Sequence, residues 1–176
     1  MESSDSGTAN SSSVGGYPTK YQDWFVQVTI NPSEFPTSGY VHIFLSESVP
    51  TGDWTTSPDR VGDVAIFKDH DSFGSNNRRE AAISGQVPLT RILLEKGQDI
   101  NNIAETEAYL TTQLHWRCAT VDGVKLPLEN VLSLLVKVFS APVERRGVGQ
   151  FPRRGTPEVH QSVTHGRLGG FAIETE

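Results

Sequence analysis

The side chains best suited to metal or acid–base chemistry are the histidines of the chain. They are His42, His70, His115, His160 and His165. A metal site needs ligands that converge, for example two histidines one turn apart on a helix. No pair here has that spacing in a predicted helix, since His42 falls in a predicted strand and His160 and His165 fall in a stretch without periodicity. We therefore interpret each of them as an ordinary surface or core histidine.

Cys118 and the run from Lys68 to Asp71 are the other candidates for chemistry. Cys118 is the only cysteine, so no internal disulfide can form, and its place in a predicted strand favours a buried, unreactive thiol. The run Lys68-Asp69-His70-Asp71 has the groups of an acid–base pair or a weak metal site, but the polar residues after it indicate a solvated loop. Phosphate-binding glycine loops, nucleophile elbows and zinc signatures are missing from the sequence. We predict no catalytic residue and no metal ligand in this chain.

Charge and hydropathy argue against several classes of partner. The chain of 176 residues has a formal net charge of −6, which disfavours nucleic acid or an anionic membrane as the main partner. No run approaches the roughly 18 apolar residues of a membrane span, and the beginning of the chain is serine-rich rather than basic and then apolar. We therefore expect neither a membrane span nor a signal peptide. The predicted location is the cytoplasm.

Changes in composition divide the chain into three segments. Residues 1–18 are rich in serine and lack periodicity, which predicts a flexible lead or linker. Residues 19–143 are predicted to form one domain, long enough to fold without disulfides. Residues 144–176 are rich in arginine and glycine and are predicted to be a flexible, solvated tail, with a partner-binding peptide as the alternative.

Alternation of apolar and polar residues predicts β-strands through the middle segment. The predicted strands cover residues 24–30, 40–45, 61–67, 83–87 and 132–140. The first has one apolar face, whereas the second is apolar on both faces, as in a central strand. Residues 115–126 predict a hairpin, because Asp122-Gly123 favours the positive φ angles of a tight turn.

One clear helix and one shorter helix interrupt the strands. Asn102 is suited to cap a helix, with Glu105 three residues later and apolar residues following near one face. A shorter helix near Leu89–Glu95 is predicted to end at Gly97. Short strands with turn signals and one or two short helices predict a mainly β fold, an antiparallel β-sandwich or barrel.

Several short motifs follow one another between Tyr21 and Val143. The order starts with Tyr21-Gln22-Asp23-Trp24 and Tyr40-Val41-His42-Ile43-Phe44-Leu45. The two most specific motifs are Gly85-Gln86-Val87-Pro88-Leu89-Thr90 and Leu114-His115-Trp116-Arg117, with the predicted helix between them. In this order and spacing, the middle segment resembles the C-terminal domain of fungal-type tyrosinases, which are polyphenol oxidases.

The resemblance implies a fold and a role. The family domain is a β-sandwich or barrel similar to the terminal β domain of haemocyanins. It packs as a lid over the dinuclear copper site of the catalytic domain, keeps the proenzyme latent and assists its maturation. An aromatic residue of the lid fills the substrate pocket as a placeholder, and Phe67 matches it best by position, with Phe73 second. An aromatic ring suits a phenol-shaped pocket and offers no hydroxyl to oxidise.

The resemblance also implies which groups this chain lacks. It is itself non-catalytic and carries no cofactor, because the copper ligands belong to the catalytic domain, its partner in cis or in trans. Many family members have a Cys-x-x-Cys pair after the placeholder, thought to help deliver copper. The matching loop here reads Gly74, Ser75, Asn76 and Asn77. Hydroxyl and amide groups are poor ligands for Cu(I), which puts copper delivery by this loop in doubt.

Three functions are compatible with these patterns. A lid domain predicts an exposed Phe67 or Phe73 and an apolar patch that meets the catalytic domain. A stand-alone β-sandwich interaction or ligand-binding module, without a link to copper oxidase activity, predicts instead a placeholder loop folded back on the domain and a concave pocket elsewhere. An enzyme with unrelated chemistry would need groups among His42, His70, His115 and Cys118 to converge in space.

Overall fold

The computed structural model describes residues 19–68, 81–147 and 149–171, and they form two β-sheets around a shared core. The strands, numbered along the chain, are β1 (Lys20–Ile30), β2 (Gly39–Leu45), β3 (Arg60–Ile66), β4 (Ile83–Pro88), β5 (Leu114–Thr120), β6 (Lys125–Leu126), β7 (Leu135–Glu144), β8 (Arg153–Arg154) and β9 (Glu158–Val159). The helices are α1 (Thr90–Glu95), α2 (Ile103–Gln113) and α3 (Gln161–Thr164), with 3-10 turns at Pro32–Glu34 and Leu128–Asn130. This mainly β architecture confirms the predicted fold class. Within these ranges, no helix has both the length and the apolar character needed to cross a membrane.

The first sheet is built around β1. Its strand order is β4-β1-β7-β8, and β9 also pairs with β7. β1 is antiparallel to both of its neighbours, so its alternating apolar residues form the centre of one core face. Trp24, Val26 and Val28 are completely buried, and Ile30 is 1% exposed. The predicted strand with one buried face is therefore confirmed.

The second sheet has the antiparallel order β3-β2-β5-β6. Val41, Ile43 and Leu45 belong to the main core. On the other face of β2, Phe44 lies under the loop of residues 46–59, where its ring centroid is 6.3 Å from that of Trp54. β2 is thus buried on both faces, as its sequence predicts for a central strand.

Two glycines allow the edge strands of the two sheets to approach each other. A Cβ added to Gly62 on β3 would lie 2.6 Å from Cγ1 of Val87, and one added to Gly85 on β4 would lie 2.6 Å from Cγ1 of Val64. Each glycine therefore faces a valine of the opposite strand, and a larger side chain at either position would push the strands apart. This packing gives a physical reason for the glycine that begins the motif of residues 85–90.

The helices begin and end where the sequence indicates. The Asn102 side chain accepts a hydrogen bond from the Glu105 backbone N–H and donates one to the Glu105 carboxylate, as an N-cap of α2. Gly97 follows α1 with a φ of 77°, a conformation that favours glycine at the end of a helix. Both predicted helices are confirmed.

Thr90 joins two of the motifs that carry the family resemblance. Its hydroxyl accepts a hydrogen bond from the Trp24 backbone N–H at 2.8 Å and donates one to the Asp23 carboxylate at 2.7 Å. The Leu89 N–H donates to the Trp24 carbonyl oxygen at 2.8 Å. The start of α1 is therefore fixed to β1 by buried hydrogen bonds.

Residues 149–171, here called the C-terminal strap, correct the expectation of a flexible tail. The His160 and Gly155 backbone N–H groups donate to carbonyl oxygens of β7, and Val136 of β7 donates to the carbonyl oxygen of Gly169. Val163 of α3 is completely buried. The strap lacks periodicity because it is held by single anchors and backbone pairing rather than by one continuous apolar face.

Candidate functional site

Phe67 is a large apolar side chain that the domain leaves in solvent. β3 ends at Ile66, which pairs with Gly39 and is 1% exposed, whereas the next residue, Phe67, is 76% exposed. The sequence left open whether Phe67 packs in the core of its own domain, and the structure shows that it does not.

The backbone on both sides of Phe67 is anchored. Ile66 belongs to the main hydrophobic core. Lys68 donates its backbone N–H to the Ser38 hydroxyl at 3.0 Å and its Nζ to the Phe35 carbonyl oxygen at 2.6 Å. Phe35 is completely buried. The exposed ring is therefore presented from a fixed backbone and does not sit at the tip of a loose loop.

Four of the seven exposed large hydrophobic side chains in the described residues belong to segments that are hydrogen-bonded to the loop of residues 31–38 or to the end of β5. They are Phe67, Val121, Val124 and Leu132, here called the Phe67 surface. Val121 donates its backbone N–H to the Ser38 carbonyl oxygen, and Val124 donates its backbone N–H to the Thr120 hydroxyl oxygen. Leu132 precedes Ser133, whose N–H donates to the Glu34 carboxylate. Exposed apolar side chains gathered at one end of a domain are typical of a protein-binding surface.

His42 lies on the outer face of the second sheet, within a charged cluster. Its ring is 2% exposed, and Nδ1 is 2.8 Å from Oδ1 of Asp63, which also accepts hydrogen bonds from Nη1 of Arg60 at 2.6 Å. Burial alone would raise the pKa of Asp63, but the hydrogen bonds from Arg60 and His42 bring it below its ordinary value. Because an ionised carboxylate can only accept, Nδ1 of His42 is the donor of this hydrogen bond. Nε2 is buried and has no hydrogen-bond partner among the described residues.

His160 anchors the C-terminal strap through a buried hydrogen-bonded chain. Nε2 is 2.8 Å from the Ser140 hydroxyl oxygen, Nδ1 is 2.5 Å from Oε1 of Glu107, and the ring stacks on Trp24 with centroids 4.6 Å apart. Serine, histidine and carboxylate occur in this order in hydrolase triads. Ser140 and His160 are, however, only 2% and 3% exposed, so a substrate cannot reach the hydroxyl in this conformation. We interpret the three groups as a clasp that fastens the strap.

The sequence did not bring these three residues together. They are separated by 20 and 53 positions, and His160 lies in a segment without strand or helix periodicity. The one available signal was the pair Val159 and Val163 around His160, four residues apart, which is the spacing of a short buried turn.

Comparison with known proteins identifies the family. Residues 23–138 match the family model described as the tyrosinase C-terminal domain. The chain belongs to this family. The tyrosinase of Neurospora crassa is 29% identical to it over 167 residues, which cover 88% of the chain and 24% of that protein. The resemblance predicted from the motifs is thereby confirmed.

Solved tyrosinase structures share the fold of this tyrosinase C-terminal domain. Recombinant mushroom tyrosinase superimposes with a TM-score of 0.60 at 19% identity, covering 80% of the chain and 24% of the larger protein. A crystal structure containing latent and active mushroom tyrosinase gives 0.59 at 19% identity, covering 82% and 26%. At this identity the likeness shows the fold alone. The chain spans about a quarter of the length of these relatives.

The remaining candidate residues of the tyrosinase C-terminal domain do not converge on one site. Cys118 is completely buried, and burial raises the pKa of its thiol to about 12, which fits an unreactive core cysteine. His165 is exposed, next to the end of α3. Across the described ranges, no group of three or more His, Cys, Asp and Glu side chains is placed to hold a metal ion.

Some predicted site residues lie outside the described ranges. These are His70, Phe73 and the loop residues Gly74, Ser75, Asn76 and Asn77, which match the Cys-x-x-Cys of other family members. Their assignments stay predictions.

Proposed function

We propose that this chain is the lid of a tyrosinase: it covers the dinuclear copper site of a catalytic domain, keeps that site latent, and places Phe67 in the substrate pocket. The observation that carries the proposal is the Phe67 ring, 76% exposed on a backbone anchored at Ile66 and Lys68. A side chain held in its binding position loses little conformational freedom when a partner closes around it. A phenylalanine ring has the size and shape of a phenol without its hydroxyl.

The apolar neighbours of Phe67 support a protein partner rather than a small ligand. Val121, Val124 and Leu132 are each more than half exposed. We expect them to add apolar contact area to an interface centred on Phe67. The alternative, a stand-alone module, predicts a placeholder loop that folds back on the domain together with Phe67, and a concave pocket elsewhere. The exposure of Phe67 therefore favours the lid.

Copper chemistry is assigned in this proposal to the partner. Within the described residues, Cys118 is the only thiol and is buried, and the histidines are distributed over separate parts of the fold. These residues do not fit a coupled copper site, which needs several converging ligands. The lid acts by occupying the substrate pocket and excluding phenols, and it takes no part in the oxidation itself.

The test is inhibition in trans. An active tyrosinase catalytic domain freed of its own C-terminal domain is titrated with this chain while phenol oxidation is followed. Phe151→Ala is the matched control for Phe67→Ala, because Phe151 is 94% exposed and lies beside β8 on the other sheet. We expect inhibition by the wild type and by Phe151→Ala, with at least about tenfold weaker inhibition by Phe67→Ala, the loss typical of an interface anchor.

Two results would contradict parts of this proposal. Equal inhibition by the wild type and Phe67→Ala would agree with a lid function but contradict the placement of Phe67 in the substrate pocket. Neither binding nor inhibition by the wild-type chain at saturating concentration would refute the lid and favour an independent interaction module.

A further inference from the structure

A cleft separate from the Phe67 surface lies at the beginning of β5. Its volume is about 520 Å³. It is lined by His115, Arg117, Leu126, Leu128, Arg167 and Leu168, together with neighbouring residues. A cleft of this size is in the range that holds a small organic molecule.

Two arginines cover the free edge of β5 in this cleft. β6 pairs with β5 only at Cys118 and Ala119, so the earlier part of the strand has no neighbouring strand on that side within the described ranges. The Leu114 carbonyl oxygen accepts a 2.6 Å hydrogen bond from Nη2 of Arg167, and the Trp116 carbonyl oxygen accepts one of 2.7 Å from Nη1 of Arg117. The guanidinium groups thereby satisfy backbone carbonyls that would otherwise be unpaired.

Neither arginine forms an ion pair with an acidic side chain of the described residues. None of the ion pairs found in the described residues involves Arg117 or Arg167. Burial, and then the nearby charge of Arg117, lowers the pKa of Arg167 from its ordinary value. Glu129 is the only acidic residue of the lining, whereas Arg117, Arg167 and Lys125 are cationic. The cleft is therefore positive in a chain whose net charge is −6.

Two buried nitrogen atoms beside the cleft have no partner. Nη1 of Arg167 and Nε2 of His115 are both buried and form no hydrogen bond with any described residue. Leaving a buried guanidinium N–H unsatisfied is costly, so an acceptor oxygen that reaches Nη1 of Arg167 would be stabilised there. The Arg167 guanidinium also lies 4.1 Å from the centroid of the Trp116 ring, which limits its freedom to turn away.

We propose that this cleft binds a small organic carboxylate, whose two oxygens are held by Arg117 and Arg167 and whose apolar body lies on Leu126, Leu128 and Leu168. Guanidinium groups match the planar, two-oxygen geometry of a carboxylate. Leu168 is 54% exposed, and Leu126 and Leu128 are partly buried, so they offer apolar surface next to the charged end. The site uses no residue of the Phe67 surface and is independent of the lid function.

The test uses the full chain labelled with ¹⁵N and follows the indole N–H of Trp116, which donates to the Leu168 carbonyl oxygen at 2.9 Å. The buried Trp24 indole, bonded to the Ile100 carbonyl oxygen, is the internal reference. The probe is 3-phenylpropanoate, and 3-phenylpropan-1-ol is its uncharged counterpart. We expect a saturable shift at Trp116 with a Kd on the order of 1 mM for a ligand of this size. The alcohol should bind at least about tenfold more weakly, because it cannot accept charge-assisted hydrogen bonds.

Substitutions decide whether the arginine pair is responsible. Arg117→Gln keeps a donor for the Trp116 carbonyl oxygen but removes the charge, and it should weaken binding about tenfold. Arg91→Gln is the matched control, since Arg91 pairs with Glu95 on the exposed face of α1, and it should leave the Kd unchanged. Equal affinity for the alcohol, equal losses in the two variants, or no saturation at Trp116 would overturn the proposal. If inorganic phosphate bound as tightly as the carboxylate, the role proposed for Leu126, Leu128 and Leu168 would be wrong.

Discussion

Ile66 and Phe67 are consecutive residues whose side chains are 1% and 76% exposed. Ile66 is the last paired residue of β3 and points into the core, and Phe67 continues the alternation of the strand by pointing away from it. The hydrogen bonds of Lys68 keep the chain in this orientation. The Phe67 ring therefore adds little to the stability of its own domain, and we look for its function at a surface that binds a partner.

Alanine substitutions at these two positions should differ strongly in their effect on stability. Ile66→Ala should lower the free energy of unfolding by about 2–5 kcal/mol, because it leaves a cavity in the core. Phe67→Ala should change it by less than about 0.5 kcal/mol, as expected for an exposed side chain. Urea unfolding of both variants provides the measurement. A large loss in Phe67→Ala would show that the ring packs on its own domain and would remove the basis of the lid proposal.

The reciprocal contacts of Gly62 and Gly85 give a second prediction. Gly62→Ala or Gly85→Ala should lower the free energy of unfolding by about 1–3 kcal/mol, because each new methyl group meets a valine of the opposite edge strand. Gly52→Ala is the control, since a Cβ there meets nothing within 4 Å. Thermal and urea unfolding should separate the three variants. Equal stability of all three would mean that the edge strands can part without cost.

The His160 clasp predicts a local as well as a global effect. His160→Ala leaves the Ser140 hydroxyl and one oxygen of Glu107 without this partner, so the free energy of unfolding should fall by about 1–3 kcal/mol. The exposed pair Arg153–Arg154 in β8 should then be cut faster by trypsin, because the strap opens more often. His165→Ala is the control, since that side chain is exposed. Similar cleavage rates in both variants would show that other anchors hold the strap.

The clasp of Ser140, His160 and Glu107 should not react as a hydrolase triad does. A fluorophosphonate probe needs to reach the Ser140 oxygen, which lies in a side chain only 2% exposed. We expect no labelling of the native chain under conditions in which a serine hydrolase is labelled completely. Labelling that Ser140→Ala abolishes would show that the clasp opens to a catalytic conformation.

Local patterns predicted those parts of the fold that depend on residues close together in the sequence. The alternation in β1 and β2, the Asn102 cap and the hairpin turn at Asp122-Gly123 were all readable, because neighbours in sequence are neighbours in space there. The turn glycine Gly123 has a φ of 81°. The exposure of Phe67 could not be predicted in this way, since an aromatic residue after an apolar strand fits a core position equally well.

Long-range single contacts are what the sequence could not show. The strap is held by His160, Val163 and backbone pairs to β7, none of which repeats with a period. The cleft depends on Arg167 reaching Leu114 across 53 positions. Such contacts follow from the folded topology, and a lone arginine or histidine in a polar segment gives no sign of them.

His115 should make stability depend on pH near neutrality. Burial, and then the charge of Arg167, lowers the pKa of His115 below its ordinary value of about 6.5 in the folded chain. Between the folded and the unfolded pKa, the unfolded chain binds a proton that the folded chain does not. The free energy of unfolding should therefore fall as the pH drops below about 6.5 and level off below the folded pKa.

The control for this pH dependence is His115→Gln, which cannot titrate. Urea unfolding of both proteins at a series of pH values from neutral to mildly acidic gives the comparison. The wild type should lose more stability than the variant over this range. Parallel profiles would assign the pH dependence to other groups.

Cys118 should be protected from thiol reagents as long as the chain is folded. Its side chain is completely buried, and burial raises the pKa of the thiol to about 12, so the reactive thiolate is scarce near neutral pH. An aromatic disulfide reagent at mildly alkaline pH should therefore react at the rate at which the chain unfolds, and completely in denaturant. Because the folded pKa lies above the ordinary value of about 8.5, the free energy of unfolding should also decrease as the pH rises above that value. Fast, complete reaction of the native chain would mean that β5 opens and exposes Cys118 without unfolding of the whole domain.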